Sequence, residues 1–181
     1  PHDLWAELCS LNRGQCLALE KSLTADDYVL LRGMPGTGKT STLSLIIRAL
    51  VARGERVLVT SYTHSAVDNI LRKLKAAGVE SDLCVRFGAV TSIAEDVREY
   101  GVDPTSVSTV ADVAALVDRV RIVCCTVLSA ARHPLIPKIG LDCCVMDEAG
   151  QISQPAAIGG LLHTRRFLLV GDDYQLPPLV V

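Results

Sequence analysis

The chain has 181 residues, 49% of them apolar, and a formal charge of −2. That length fits one domain with a full core, and the composition excludes a disordered or low-complexity chain. No apolar run reaches membrane-spanning length, so no membrane partner is expected, and any nucleic acid must be held by a local face instead of by net charge.

The N-terminus, Pro1-His2-Asp3-Leu4-Trp5, has no initiating Met and no basic start followed by an apolar signal core. The chain stops at Val181 directly after an apolar segment, the pattern expected of a piece of a larger protein. The first strand-like run covers residues 28–32. It delivers Gly33-Met34-Pro35-Gly36-Thr37-Gly38-Lys39-Thr40, a complete phosphate-binding P-loop. Such a loop needs a strand before it and a helix after it, so that backbone N–H groups and the helix N-terminus converge on phosphate oxygens. Gly33, Gly36 and Gly38 let the backbone approach the phosphates. Lys39 can reach the β- and γ-phosphates, and the Thr40 hydroxyl is placed to ligate Mg²⁺. A helix is expected over 39–53, with Leu43, Ile46, Ile47 and Leu50 on one face and Gly54 as its stop.

A second strand over 56–61 ends in Thr60-Ser61-Tyr62-Thr63-His64-Ser65. Four hydroxyls, one aromatic ring and one histidine thus stand at the start of a helix expected over 65–77. One hydroxyl is explained by an N-cap, whereas four suit phosphate contacts, with Tyr62 available to stack on a base. A third strand is expected over 83–87. Residues 88–108 carry Glu95, Asp96, Arg98 and Glu99 and are broken by Gly101-Val102-Asp103-Pro104. A solvated helix and surface loop are expected there, within a variable connection over 88–120 that includes a short helix at 108–117.

Strands over 121–126 and 142–147 each contain a cysteine pair, Cys124-Cys125 and Cys143-Cys144. Neighbouring strand residues point to opposite faces, which makes a poor chelate. An odd total of seven and the lack of Cys-x-x-Cys argue for reduced, mostly buried thiols in an intracellular protein. The strand at 142–147 ends in Asp147-Glu148. Beside a P-loop, Asp147 suits Mg²⁺, and Glu148 can orient and deprotonate the water that attacks a γ-phosphate. A helix over 155–162 and a strand over 166–171 follow. The chain then reads Gly171-Asp172-Asp173-Tyr174-Gln175-Leu176-Pro177-Pro178, where Asp172 and Gln175 could sense the γ-phosphate. Apolar strands alternating with helices imply a parallel α/β sheet with helices on both faces and ligands beyond the strands' carboxyl ends.

Taken together, Leu11-Asn12-Arg13-Gly14-Gln15, the P-loop, the string at 60–69, Met146-Asp147-Glu148-Ala149-Gly150-Gln151 and the string at 171–178 resemble superfamily 1 helicases of the Upf-like branch. Met34 and the string at 61–71 look most like that branch's DNA replication helicase/nuclease family. The resemblance implies a RecA-like P-loop NTPase fold, with residues 1–181 as the first of two motor domains. A nuclease domain would precede it and a second RecA-like domain would follow. It implies ATP and Mg²⁺ as cofactors, with Gln15 reading the adenine edge. Gly33, Pro35, Gly36, Thr37, Gly38, Lys39 and Thr40 would hold phosphate, and Thr40 and Asp147 the metal. Lys39, Asp147, Glu148 and Gln175 would carry the catalysis.

Single-stranded DNA would lie on Ser61, Tyr62, Thr63, His64, Ser65 and Thr126. Implied partners are the second motor domain, which supplies arginine fingers, and a single-strand-binding protein. The implied location is the nucleus, with mitochondria and cytoplasm as alternatives. An RNA helicase of the same branch and a non-catalytic nucleotide-gated module are the competing readings. Gly150 stands where relatives usually carry Ser or Thr, and Asp173 where His is frequent.

Overall fold

The computed structural model describes residues 4–33, 37–102, 107–172, 174–175 and 177–178. Among these residues six strands form one parallel sheet: β1 (Tyr28–Arg32), β2 (Val57–Ser61), β3 (Cys84–Arg86), β4 (Ile122–Thr126), β5 (Cys143–Met146) and β6 (Arg166–Gly171). Their spatial order is β1-β6-β5-β2-β4-β3. All six expected strands are present, trimmed by a residue at some ends. β2, β4 and β5 are buried along their whole length, as uninterrupted Val, Ile, Leu and Cys runs require.

The helices are α1 (Leu4–Cys9), α2 (Arg13–Thr24), α3 (Lys39–Ala52), α4 (His64–Ala76), α5 (Val110–Arg119), α6 (Val127–Arg132), α7 (Ile136–Ile139) and α8 (Gln154–Leu161). The core divides at the sheet. On one face Leu43, Ile46, Ile47 and Leu50 of α3, and Val67, Ile70, Leu71 and Leu74 of α4, pack on Val57, Val59, Cys124, Cys143 and Val145. On the other, Leu116 of α5, Ala130 of α6 and Ile136 and Ile139 of α7 pack on Leu58, Val123, Cys125, Cys144 and Met146. Each vicinal cysteine pair sends one thiol to each face, as strand geometry demands. Helices therefore cover both faces, and the expected α/β architecture is the one observed.

The segment at 88–108 corrects the sequence reading. It is not a purely solvated connection, because Ile93, Val97 and Tyr100 are buried in the α3/α4 layer. The Tyr100 hydroxyl donates to the Val79 carbonyl at 2.6 Å, and Asp96 takes two hydrogen bonds from Arg72 of α4, at 2.6 and 2.9 Å. Two 3₁₀ turns, Val90–Ser92 and Glu95–Tyr100, carry the chain there. Their three-residue period spreads few apolar residues among many charges, which disguises the buried side.

Candidate functional site

Because the sheet is wholly parallel, the carboxyl ends of all strands meet one edge. The P-loop leaves β1, Asp147-Glu148 leaves β5, and Asp172 leaves β6, and these three strands are neighbours. Gly33 N–H donates to the Gly171 carbonyl at 3.1 Å, tying the ends of β1 and β6 together. A Cβ at Gly33 would fall 2.5 Å from Lys39 Cγ, so the lysine stem passes directly over this glycine. Gly38 adopts a left-handed conformation, φ +80°, and begins α3 with no side-chain cap. The first amide donors of α3 are thereby left to an anion. Pro35 and Gly36 lie outside the described residues.

Lys39 Nζ lies 3.3 Å from Glu148 Oε1. Glu148 reaches it because its own backbone is left-handed, φ 52° and ψ 36°, the one non-glycine residue at positive φ among those described. Such a conformation costs energy in an ordinary side-chain-bearing residue, and here it turns the chain back toward the P-loop. Asp147 is buried, 5% exposed, and its Oδ1 accepts from the Glu148 N–H at 2.9 Å. Burial raises the Asp147 carboxyl above the ordinary carboxylate range. The Glu148 N–H and the Lys39 charge oppose that rise, while the Glu148 charge adds to it. A buried carboxylate at a strand end and a threonine hydroxyl at the start of a helix are both hard-oxygen donors of the kind Mg²⁺ takes.

Gln175 sits within a small amide network. Its Oε1 accepts from Gln151 Nε2 at 3.1 Å, its Nε2 lies 3.5 Å from Asp172 Oδ2, and its N–H donates to the Asp172 carbonyl at 3.2 Å. Gln151 was assigned no role from sequence. Its signal was its place three residues after Glu148 on the 3₁₀ turn Ala149–Gln151. The backbones there are close enough that a Cβ at Gly150 would lie 3.3 Å from the Asp172 carbonyl.

A pocket of about 380 Å³ opens beside the P-loop, lined in part by Asn12, Gln15, Leu31, Lys39, Thr42 and Val170. Gln15 forms a reciprocal capping box at the start of α2. Its N–H donates to Asn12 Oδ1 and its Oε1 accepts from the Asn12 N–H, both at 3.0 Å. Gln15 Nε2 lies within 3.4 Å of where a Gly38 Cβ would stand. One half of the amide is thus partly engaged, and the other half abuts the P-loop.

The residues read as nucleic-acid contacts separate into two groups. Tyr62, Thr63, His64 and Ser65 are exposed after β2, with the Thr63 hydroxyl accepting from Ala66 N–H as the N-cap of α4. Ser61 and Thr126 are buried, which corrects their assignment as surface contacts. Ser61 is fully enclosed in the sheet, and the Thr126 hydroxyl caps α6 through the Ser129 N–H and meets the Ser129 hydroxyl at 2.9 Å.

Residues 10–113 and 107–181 match the family model described as AAA domain. The DNA replication ATP-dependent helicase/nuclease JHS1 of Arabidopsis thaliana is 48% identical over 177 residues, covering 98% of this chain and 13% of that protein. DNA replication ATP-dependent helicase/nucleases DNA2 of Bos taurus and Homo sapiens are 41% and 40% identical, covering 96% and 100% of this chain. The chain spans 16% and 18% of their lengths. Among solved structures, the UvsW helicase from bacteriophage T4 superposes with a TM-score of 0.65 at 12% identity, covering 93% of this chain and 58% of that one. The Type ISP restriction-modification enzyme LlaBIII gives 0.61 at 17% identity, covering 89% of this chain and 12% of that one. These distant likenesses concern the fold.

Proposed function

The chain belongs to the AAA domain family, and on that premise we propose that it is the ATP-binding motor half of a DNA helicase/nuclease. The observation that supports the proposal is the 3.3 Å contact of Lys39 with Glu148 across neighbouring strand ends, with buried Asp147 beside Glu148 and Gln175 held by Gln151 and Asp172 after the strand between them. The names of its relatives at 40–48% identity supply the substrate class.

In this reading Gln15 holds the adenine edge, and the donors of the P-loop and of α3 hold the phosphates. Lys39 leaves Glu148 for the β- and γ-phosphates, since a triphosphate offers it more negative charge than one carboxylate. Glu148, released from Lys39, orients and deprotonates the attacking water. Mg²⁺, held by Thr40 and Asp147, would neutralise charge developing on the phosphates. Gln175 reports the γ-phosphate to Asp172 and Gln151, and so to the edge facing a second motor domain. That second domain would supply arginine fingers, worth roughly 10³–10⁵ in rate. Single-stranded DNA would lie along Tyr62–Ser65, with a single-strand-binding protein as a replication partner and the nucleus as the site of action.

The test is ATP turnover and strand unwinding by the full protein with DNA and with RNA. DNA-stimulated turnover that disappears in Lys39→Ala is the expected result. Stimulation by RNA alone would move the assignment to an RNA motor, and ATP binding without turnover would make the domain a switch.

A further inference from the structure

Arg86, the last residue of β3, is fully buried, and its guanidinium meets three partners. Nε donates to Asp68 Oδ1 at 3.0 Å, Nη1 donates to the Phe87 carbonyl at 2.5 Å, and Nη2 lies 3.0 Å from His64 Nδ1. Asp68 is itself buried, and its Oδ2 accepts from the Ala94 N–H at 3.0 Å. A buried ion pair contributes little net stability compared with apolar side chains of the same size. Packing alone therefore gives no reason for charges here.

The position of the pair supplies one. Asp68 stands one turn after His64 on α4, so both face β3. Gly88, at φ +149°, adds no side chain beside Arg86 and His64. A Cβ there would lie 3.2 Å from Arg86 Nη1 and 4.0 Å from His64 Cε1. Arginine has only donors, so His64 Nδ1 must be the acceptor, and its hydrogen partner thereby assigns the ring proton to Nε2. His64 is exposed, and Nε2 has no hydrogen-bond partner among the described residues.

We propose that Arg86 is a positioning residue for the nucleic-acid grip. Anchored by Asp68, it holds the His64 ring through Nδ1 so that Nε2–H is offered to a phosphodiester oxygen of a bound single strand. This rests on the reading that residues 62–65 grip the strand.

The test uses the full protein and reads the single-stranded DNA concentration that half-saturates ATP turnover, set against the KM for ATP. A glutamine amide nitrogen falls near the place of histidine Nε2, and an asparagine amide near that of Nδ1. His64→Gln thus keeps the outward donor without help from Arg86, whereas His64→Asn loses it. A hydrogen bond to a charged group predicts about a tenfold rise in DNA half-saturation for His64→Asn and under about threefold for His64→Gln. Arg86→Gln should raise it about tenfold alone and add little in the His64→Gln background, a non-additivity that a merely structural arginine does not produce. Equal effects of Gln and Asn at His64, with Tyr62→Ala and Ser65→Ala still weakening DNA, overturn the donor assignment and leave the strand grip standing. No shift in any of these variants overturns both. Should Arg86→Gln fail to fold, Arg86→Lys, which keeps the charge beside Asp68 but lacks the fork that also reaches His64, takes its place in the same comparison.

Discussion

Lys39 Nζ stands 3.3 Å from Glu148 Oε1, so the cation that would hold a triphosphate and the base that would hydrolyse it neutralise each other across the P-loop. A nucleotide has to separate them. Glu148→Gln should therefore keep or modestly improve ATP affinity while lowering turnover by roughly 10²–10⁴, the usual weight of a general base. Lys39→Ala should weaken binding and abolish turnover together. Fluorescent-nucleotide titration beside phosphate release separates the two effects. Turnover at the normal rate by Glu148→Gln would remove Glu148 from the base role.

Gly159 marks where α8 meets α6. A Cβ there would lie 2.6 Å from Ala131 Cβ, too close for either helix to keep its place. In an exposed helix Gly→Ala stabilises by up to about 1 kcal/mol. Here the clash should win, and Gly159→Ala should destabilise by about 1–3 kcal/mol. Adding Ala131→Gly should return part of that loss, with a coupling of at least about 1 kcal/mol in a double-mutant cycle of denaturation midpoints. A more stable single variant would show that the helices simply move apart.

The six strands were legible because each is a short, mostly apolar run, buried throughout in β2, β4 and β5 though half open in β1, where Tyr28 and Leu30 are exposed, and the P-loop because its glycines sit between strand and helix. Strand order was not legible. Nothing local places β5 and β6 between β1 and β2, yet that order puts Glu148 on Lys39 across 109 residues of sequence. Helix α2 was readable in hindsight, since Asn12 and Gln15 have capping-box spacing, but Arg13-Gly14 obscured it. The roles of Ser61 and Thr126 were misjudged for a related reason. A hydroxyl at a strand's end can face the core or cap the next helix, and composition does not distinguish these from the surface.

Tyr100 ties the 3₁₀ segment to the loop after α4 through its 2.6 Å bond to the Val79 carbonyl. Burial, above all, pushes its hydroxyl up from 10.0 to about 12. A pKa raised on folding contributes stability that is complete below the unfolded value and is lost as pH climbs through the folded one. The wild-type chain should therefore lose stability between about pH 10 and 12 in a way Tyr100→Phe does not. Near neutral pH the Phe variant should be less stable by about 1 kcal/mol, having lost one hydrogen bond. That gap should narrow across the alkaline window. A pH-independent gap in thermal or denaturant unfolding would contradict the assignment.

The thiols offer the most direct check on the layering of the sheet. Cys9 and Cys16 are exposed, whereas Cys84, Cys124, Cys125, Cys143 and Cys144 are buried. Burial pushes the Cys125 and Cys143 thiols up to about 12, and raises Cys124 and Cys144 well above the ordinary thiol value as well. The thiolate is the nucleophile, so at pH 8 these four have almost none of the reactive form and no path for a reagent. Iodoacetamide on the native protein, followed by peptide mass mapping, should modify Cys9 and Cys16 within minutes. The strand cysteines should react only once denaturant opens the sheet, all of them together, because each vicinal pair spans both core layers and neither layer can open without disturbing the strands it shares. Native labelling of one member of a pair, with the other protected, would mean that one helical layer detaches by itself and that the sheet does not open as a unit.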